Sequence, residues 1–81
     1  MKCSLLLFAR ARDLAGKSSV ELDVPSEFTI RELRGHVSTL FPELSVLHGN
    51  LIWAVNNQYA ADNYQLQPDD IVACFPPVSG G

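Results

Sequence analysis

No stretch of this sequence approaches the roughly 20 consecutive apolar residues of a membrane-spanning helix. Positive charge is also scarce, with six Lys and Arg against nine Asp and Glu and a net charge of −3. The first absence argues against a helical membrane span. The second argues against nucleic acid as a partner, because phosphates demand clustered Lys and Arg. The start of the chain imitates a signal peptide, with Met1-Lys2 before an apolar run, but Arg10 and Arg12 break that run early and no small-residue cleavage site follows. A soluble, cytoplasmic protein is the expectation. Cysteine is nearly missing too. Cys3 and Cys74 are too few and too far apart for a zinc site, so no metal is expected. Both lie in apolar runs, where a free thiol behaves as a small hydrophobe. The alternatives are a persulfide on one of them or a disulfide between the two. Most telling is residues 72–81, ten positions without a single charged side chain.

What is present fits one small globular domain. At 81 residues the chain buries only about 60–65% of its unfolded surface, so a deep pocket of its own is not expected. Residues 2–8 read as a strand, apolar at nearly every position from Leu5 and so expected to be central and buried on both faces. Residues 19–24 alternate polar and apolar, the signature of an antiparallel partner with one wet face. Residues 9–17 are read as the connection between them. Thr29-Ile30-Arg31-Glu32 fits a capping box that starts a helix. From there Ile30, Leu33, Val37, Leu40 and Phe41 form one apolar stripe that would lie on the sheet. Pro42 stops that helix. Residues 41–48 could hold a further helical turn, and Gly49-Asn50 resets the direction. Residues 51–56 read as a strand, Asn57-Gln58 as a turn, residues 58–61 as an edge strand, and Gln67-Pro68-Asp69-Asp70 as a turn before a last strand over 71–75.

A hairpin, a helix packed across it and a late strand beside the first describe an α+β fold. The expected architecture is the β-grasp of ubiquitin, a mixed sheet with one main helix and an extended C-terminal tail. The boundaries are residues 1–75 for the domain and 76–81 for the tail. Pro76 and Pro77 remove the N–H groups a sheet ladder needs, so the tail must leave the fold extended. Gly80 and Gly81 lack Cβ atoms and can enter a narrow active site. An uncharged stem strands no ion there. The terminal carboxylate of Gly81 is then the one reactive group delivered to the bottom of such a site.

The segment Phe8-Ala9-Arg10-Ala11-Arg12-Asp13-Leu14-Ala15-Gly16 and the ending Phe75-Pro76-Pro77-Val78-Ser79-Gly80-Gly81 together resemble the small, sulfur-carrying subunits of molybdopterin synthase. The resemblance spans the whole chain, and the Phe-Pro-Pro-Val stem before Gly-Gly is its more specific half. It implies a cycle in molybdenum cofactor biosynthesis. An adenylyltransferase related to ubiquitin-activating enzymes would use ATP to turn the Gly81 carboxylate into an acyl adenylate. A sulfur donor would then displace AMP, leaving a thiocarboxylate, the 1-thioglycine modification. The large synthase subunit would receive the tail, and the sulfur would attack a cyclic pyranopterin monophosphate. The resemblance further implies a heterotetramer, with the catalytic pocket in the large subunit, no activity for this chain alone and no cofactor bound by it. Two other functions share the Gly-Gly ending: a sulfur carrier for thiamine or another thio-metabolite, and a ubiquitin-like protein modifier.

Docking needs a surface. Phe8, Tyr59 and Phe75 are its candidates, with Arg12 beside them, followed by the stem Pro76, Pro77, Val78 and Ser79. In a β-grasp sheet the first and last strands are parallel neighbours, so Phe8 and Phe75 would end at the same edge near the root of the tail. The competing assignment for both is the core. Trp53, alternating with Leu51 and Val55, is expected in the core. His36 is expected in solvent and His48 in a turn. Asp69 and Asp70 suit a turn and could also meet a basic patch on a partner.

Overall fold

Opposite demands of neighbouring residues organise the sheet. In the computed structural model, which describes residues 1–47 and 50–77, β1 (Lys2–Leu7) and β2 (Ser19–Asp23) pair antiparallel, Cys3 opposite Leu22 and Leu5 opposite Val20. β5 (Ile71–Phe75) lies parallel to β1 on its other side, Leu6 opposite Ala73 and Leu7 opposite Cys74. A parallel pair needs a long crossover, and α2 (Ile30–Leu40) supplies its helix. β3 (Ile52–Val55) and β4 (Gln58–Tyr59) complete the order β2-β1-β5-β3-β4, with β4 at the edge as the sequence predicts. This is the β-grasp arrangement.

The capping box of α2 is present as predicted. The Glu32 N–H donates to Thr29 Oγ1 at 3.2 Å, and the Thr29 N–H donates to Glu32 Oε1 at 3.1 Å. Ile30, Leu33 and Val37 turn inward and meet Cys3, Leu5, Leu7, Val72, Cys74, Trp53 and Val55 in one core. Trp53 is therefore buried, as its alternation implies. The predicted stripe is too long by one residue: Leu40 remains exposed, and burial passes to Leu44 in the 3₁₀ helix Pro42–Leu47. Phe41 is half-buried at the helix end.

Three further expectations change. Residues 9–17 are more than a connection, because they hold a second helix, α1 (Ala9–Ala15). Its alanines, arginines and leucine are good helix formers, and Gly16 closes it at φ 75°, its N–H donating to the Arg12 carbonyl at 2.9 Å. Seven residues that bury only Ala11 completely are too few to show a period. β1 is not buried on both faces. Cys3, Leu5 and Leu7 are, but Ser4 and Leu6 are half-buried, because α2 covers one side of the sheet and leaves the other open. The β3–β4 turn sits one residue earlier than read. Asn56 (φ 50°) and Asn57 (φ 70°) both adopt left-handed backbone, the geometry of a two-residue hairpin whose twist suits the flanking strands.

Candidate functional site

The open side of the sheet derives its shape from alternation. Side chains two apart share a face, so Leu6 and Phe8 at the end of β1 face the same way, as do Ile71, Ala73 and Phe75 along β5. The register then draws a row straight across the sheet: Leu6 opposite Ala73, Ala73 opposite Ala54, Ala54 opposite Tyr59. Two alanines in the middle and larger side chains at the ends make a trough. Its volume is about 580 Å³. Phe8, Phe75 and Pro76 close it where β5 runs out toward the tail, and Ile71 and Asn57 line the far end. No lining residue carries a charge.

Four of the aromatic and stem candidates, Phe8, Tyr59, Phe75 and Pro76, therefore come together. Phe8 (46% exposed) and Tyr59 (80% exposed) lie on the open face, and Phe75 is half-buried between them and Pro76. Phe8 is thus a surface residue rather than a core one. Its N–H donates to the Cys74 carbonyl at 3.2 Å, which ties the end of β1 to the strand that carries the tail. Apolar surface grouped in this way is the kind on which partners dock. Arg12 lies outside the trough, one turn of α1 beyond Phe8, with its guanidinium 3.6 Å from Asp13. Pro77 is exposed. Val78, Ser79, Gly80, Gly81 and His48 lie outside the described residues. Leu6, Ala54, Ile71 and Ala73 were not singled out from the sequence. The signal that finds them is their period-two relation to Phe8 and Phe75, once the strand register is known.

The remaining titratable candidates are internal or solvated. Both thiols are buried and unpaired. Leu7, not Cys3, stands opposite Cys74, so the two sulfurs are four rungs apart, about 13 Å along the strands, and cannot bond. Burial pushes the Cys74 thiol up to about 12, where it stays protonated and unreactive. Burial likewise raises Cys3. A persulfide on either thiol has no support in this setting. His36 is exposed, its ring edge-on to Phe28 with centroids 6.3 Å apart.

Asp70 departs from its expected role. It is 5% exposed and cannot meet a partner, because its carboxylate is enclosed by donors. Asn56 Nδ2 reaches Oδ1 at 2.9 Å, and the Tyr64 hydroxyl and the Gln67 N–H each reach Oδ2 at 2.8 Å. Burial alone would raise the pKa of this carboxyl. The bonds from Gln67, Tyr64 and Asn56 outweigh burial and hold it below its ordinary 3.8. Tyr64 is raised in turn, chiefly by the bond it gives to Asp70. Asp69, by contrast, is exposed in the turn as expected.

Among the described residues, no His, Cys, Asp and Glu side chains group in a way that could hold a metal ion. No helix there is long and apolar enough to cross a membrane.

Comparison with known proteins agrees with this fold. Residues 5–81 match the ThiS family. The molybdopterin synthase sulfur carrier subunit of Arabidopsis thaliana is 35% identical over 81 residues, covering 100% of this chain and 84% of the relative. The crystal structure of SAMP1 from Haloferax volcanii superposes with a TM-score of 0.88 at 27% identity, covering 100% of both chains. A complex of subunits 1 and 2 of molybdopterin-converting factor from Helicobacter pylori contains a chain of the same fold, with a TM-score of 0.74, 21% identity and 100% of both chains covered.

Proposed function

Because this chain belongs to the ThiS family, in company with the molybdopterin synthase sulfur carrier subunits, we propose that it carries sulfur on Gly81 for molybdenum cofactor biosynthesis. The observation that carries this reading is the uncharged trough ending at Pro76, continuous in sequence with an uncharged tail. Such a surface can be covered by a partner without burying an unpaired ion, and it puts the root of the tail at the partner's surface.

The chemistry follows from what the tail has and lacks. A carboxylate is a poor electrophile. When one Gly81 carboxylate oxygen attacks the α-phosphorus of ATP, pyrophosphate leaves and the acyl carbon acquires AMP as a leaving group. A sulfur nucleophile from a donor then adds to that carbon, and AMP departs with the carbon–oxygen bond. A persulfide donor leaves an acyl disulfide, which a second thiol cleaves, forming a disulfide with the donor's sulfur and leaving Gly81 as a thiocarboxylate. Inside the large synthase subunit, this sulfur is the nucleophile that attacks the cyclic pyranopterin monophosphate. Holding it on a positioned tail replaces a bimolecular encounter with free sulfide. Residues 72–81 offer no acid, base or phosphate-binding cation. Those groups, and the pocket, belong to the adenylyltransferase and the large subunit in turn, and a dimer of large subunits assembles with two copies of this chain as a heterotetramer. One trough serving both partners makes their complexes mutually exclusive, so loading and delivery alternate.

The test is the intact mass of the chain after incubation with ATP, the adenylyltransferase and a sulfur donor. Replacement of one oxygen by sulfur, absent when Gly81 is deleted, is the expected result. An unchanged mass, with an adenylyltransferase active on another carrier, overturns the reading. Linkage of the Gly81 carboxyl to target lysines would instead establish a protein modifier.

A further inference from the structure

The far end of the trough rests on a polar device that the proposed chemistry does not use. Asp70 is the one charged residue buried among those described. Its position next to Ile71 and the position of Asn56 next to Asn57 place the two halves of one clamp directly behind two residues of the trough wall. Asn56 makes three hydrogen bonds to Asp70 and Ile71, at the entry to β5. Its Nδ2 donates to Asp70 Oδ1 at 2.9 Å, its Oδ1 accepts from the Ile71 N–H at 3.0 Å, and its own N–H donates to the Ile71 carbonyl at 2.8 Å. Asp70 uses its second oxygen to hold Tyr64 and Gln67.

What this clamp steadies is the weakest part of the sheet. β4 has two residues, paired as Val55 with Gln58 and Ala54 with Tyr59, and a hairpin that short is marginal without outside support. Tyr59 is 80% exposed, so no core packing holds it over the trough. We propose that Asn56 and Asp70 are positioning residues that set the Tyr59 wall of the trough for docking of the large synthase subunit. This inference rests on the docking role given to the trough above.

The donor and acceptor pattern supplies its own test. In Asp70→Asn, the new amide NH₂ faces either the Asn56 NH₂ or the Tyr64 and Gln67 donors. Flipping Asn56 to receive it turns the Asn56 NH₂ against the Ile71 N–H. One bond is lost in every arrangement. In the double variant Asn56→Asp with Asp70→Asn, every bond has a partner again. The new aspartate accepts from the Ile71 N–H and from the new amide, whose carbonyl oxygen accepts from Tyr64 and Gln67. Aspartate, like asparagine, tolerates the left-handed backbone at position 56.

Binding to the purified large subunit is measured by calorimetry at a temperature where circular dichroism shows each variant folded. Asp70→Asn is expected to dock about tenfold more weakly, the effect of one unmatched buried polar group, and the double variant to dock within about twofold of the parent. Asn56→Gly, which removes the clamp side chain while favouring the same turn, should also dock weakly, and it serves if Asp70→Asn does not fold. A purely structural role would move melting temperatures and leave these affinities unchanged. Parental affinity in a folded single variant, or no recovery in the double variant, overturns the inference. Tyr59→Ala separates the two layers. If it docks normally, the trough reading falls and this inference with it; if it docks weakly while Asp70→Asn and Asn56→Gly dock normally, the inference alone falls.

Discussion

β1 and β5 carry apolar side chains on both sides of the sheet and put them to different uses. On one side, Leu5, Leu7, Val72 and Cys74 are covered by Ile30, Leu33 and Val37 of α2. On the other, Leu6, Ile71, Ala73 and Phe75 lie away from α2 and line the trough instead. The same two strands, β1 and β5, contribute to both. One set of alternate residues is consumed by folding, and the set between them forms the surface proposed above for docking. Hydrophobicity by itself therefore does not separate a core from a docking surface in a sheet covered on one side only.

That division is breakable by substitution. Leu33→Ala on the covered side should cost about 2–5 kcal/mol of stability through lost burial and the cavity left behind, read by urea denaturation. Its docking affinity, measured while folded, should be unchanged. Tyr59→Ala on the open side should do the reverse, with stability within about 0.5 kcal/mol of the parent and docking weakened by about 1–2 kcal/mol. Equal losses from either substitution in both measurements would erase the distinction.

A third prediction sharpens the boundary between the two sides, where Asp70 sits. The folded pKa of Asp70 lies below its ordinary 3.8, so the ionised carboxylate contributes stability that is complete above the unfolded value and is lost as pH falls through the folded one. The melting-temperature gap between the parent and Asp70→Asn should be widest near neutrality and should shrink below about pH 4. A gap that stays constant down to about pH 2.5 would contradict the role of the charge.

The smallest effect concerns Ala9, which has a φ of 54° and lines the trough beside Phe8. A side chain in left-handed backbone costs about 1–2 kcal/mol that glycine avoids. Ala9→Gly should raise the unfolding free energy by up to about 1 kcal/mol, part of the gain being offset by glycine's greater freedom when unfolded. A loss of stability would mean that the methyl group contributes contacts outweighing the strain.

Much of this was legible in the residues. The capping box at Thr29 and Glu32, the alternation of β2 and the two prolines after Phe75 each dictate a local structure with few alternatives. Their sum already describes a β-grasp. α1 was hidden because seven residues offer too short a window for a helical period. The open face was hidden for a different reason. Leu5-Leu6-Leu7-Phe8 is a continuous apolar run, and nothing within it says that one helix will cover alternate members only. Asp70 was misplaced because a turn aspartate is usually solvated. Its burial depends on Asn56 and Tyr64, which sequence proximity does not connect to it.

The most direct measurement is a comparison of backbone amide signals of the isotope-labelled chain, free and bound to the large synthase subunit. The account predicts that the largest changes fall on Leu6, Phe8, Tyr59, Ala73 and Phe75, with Arg31, Arg34 and Ser38 on the outer side of α2 nearly unmoved. Changes concentrated on α2, with the open strands unaffected, would contradict it.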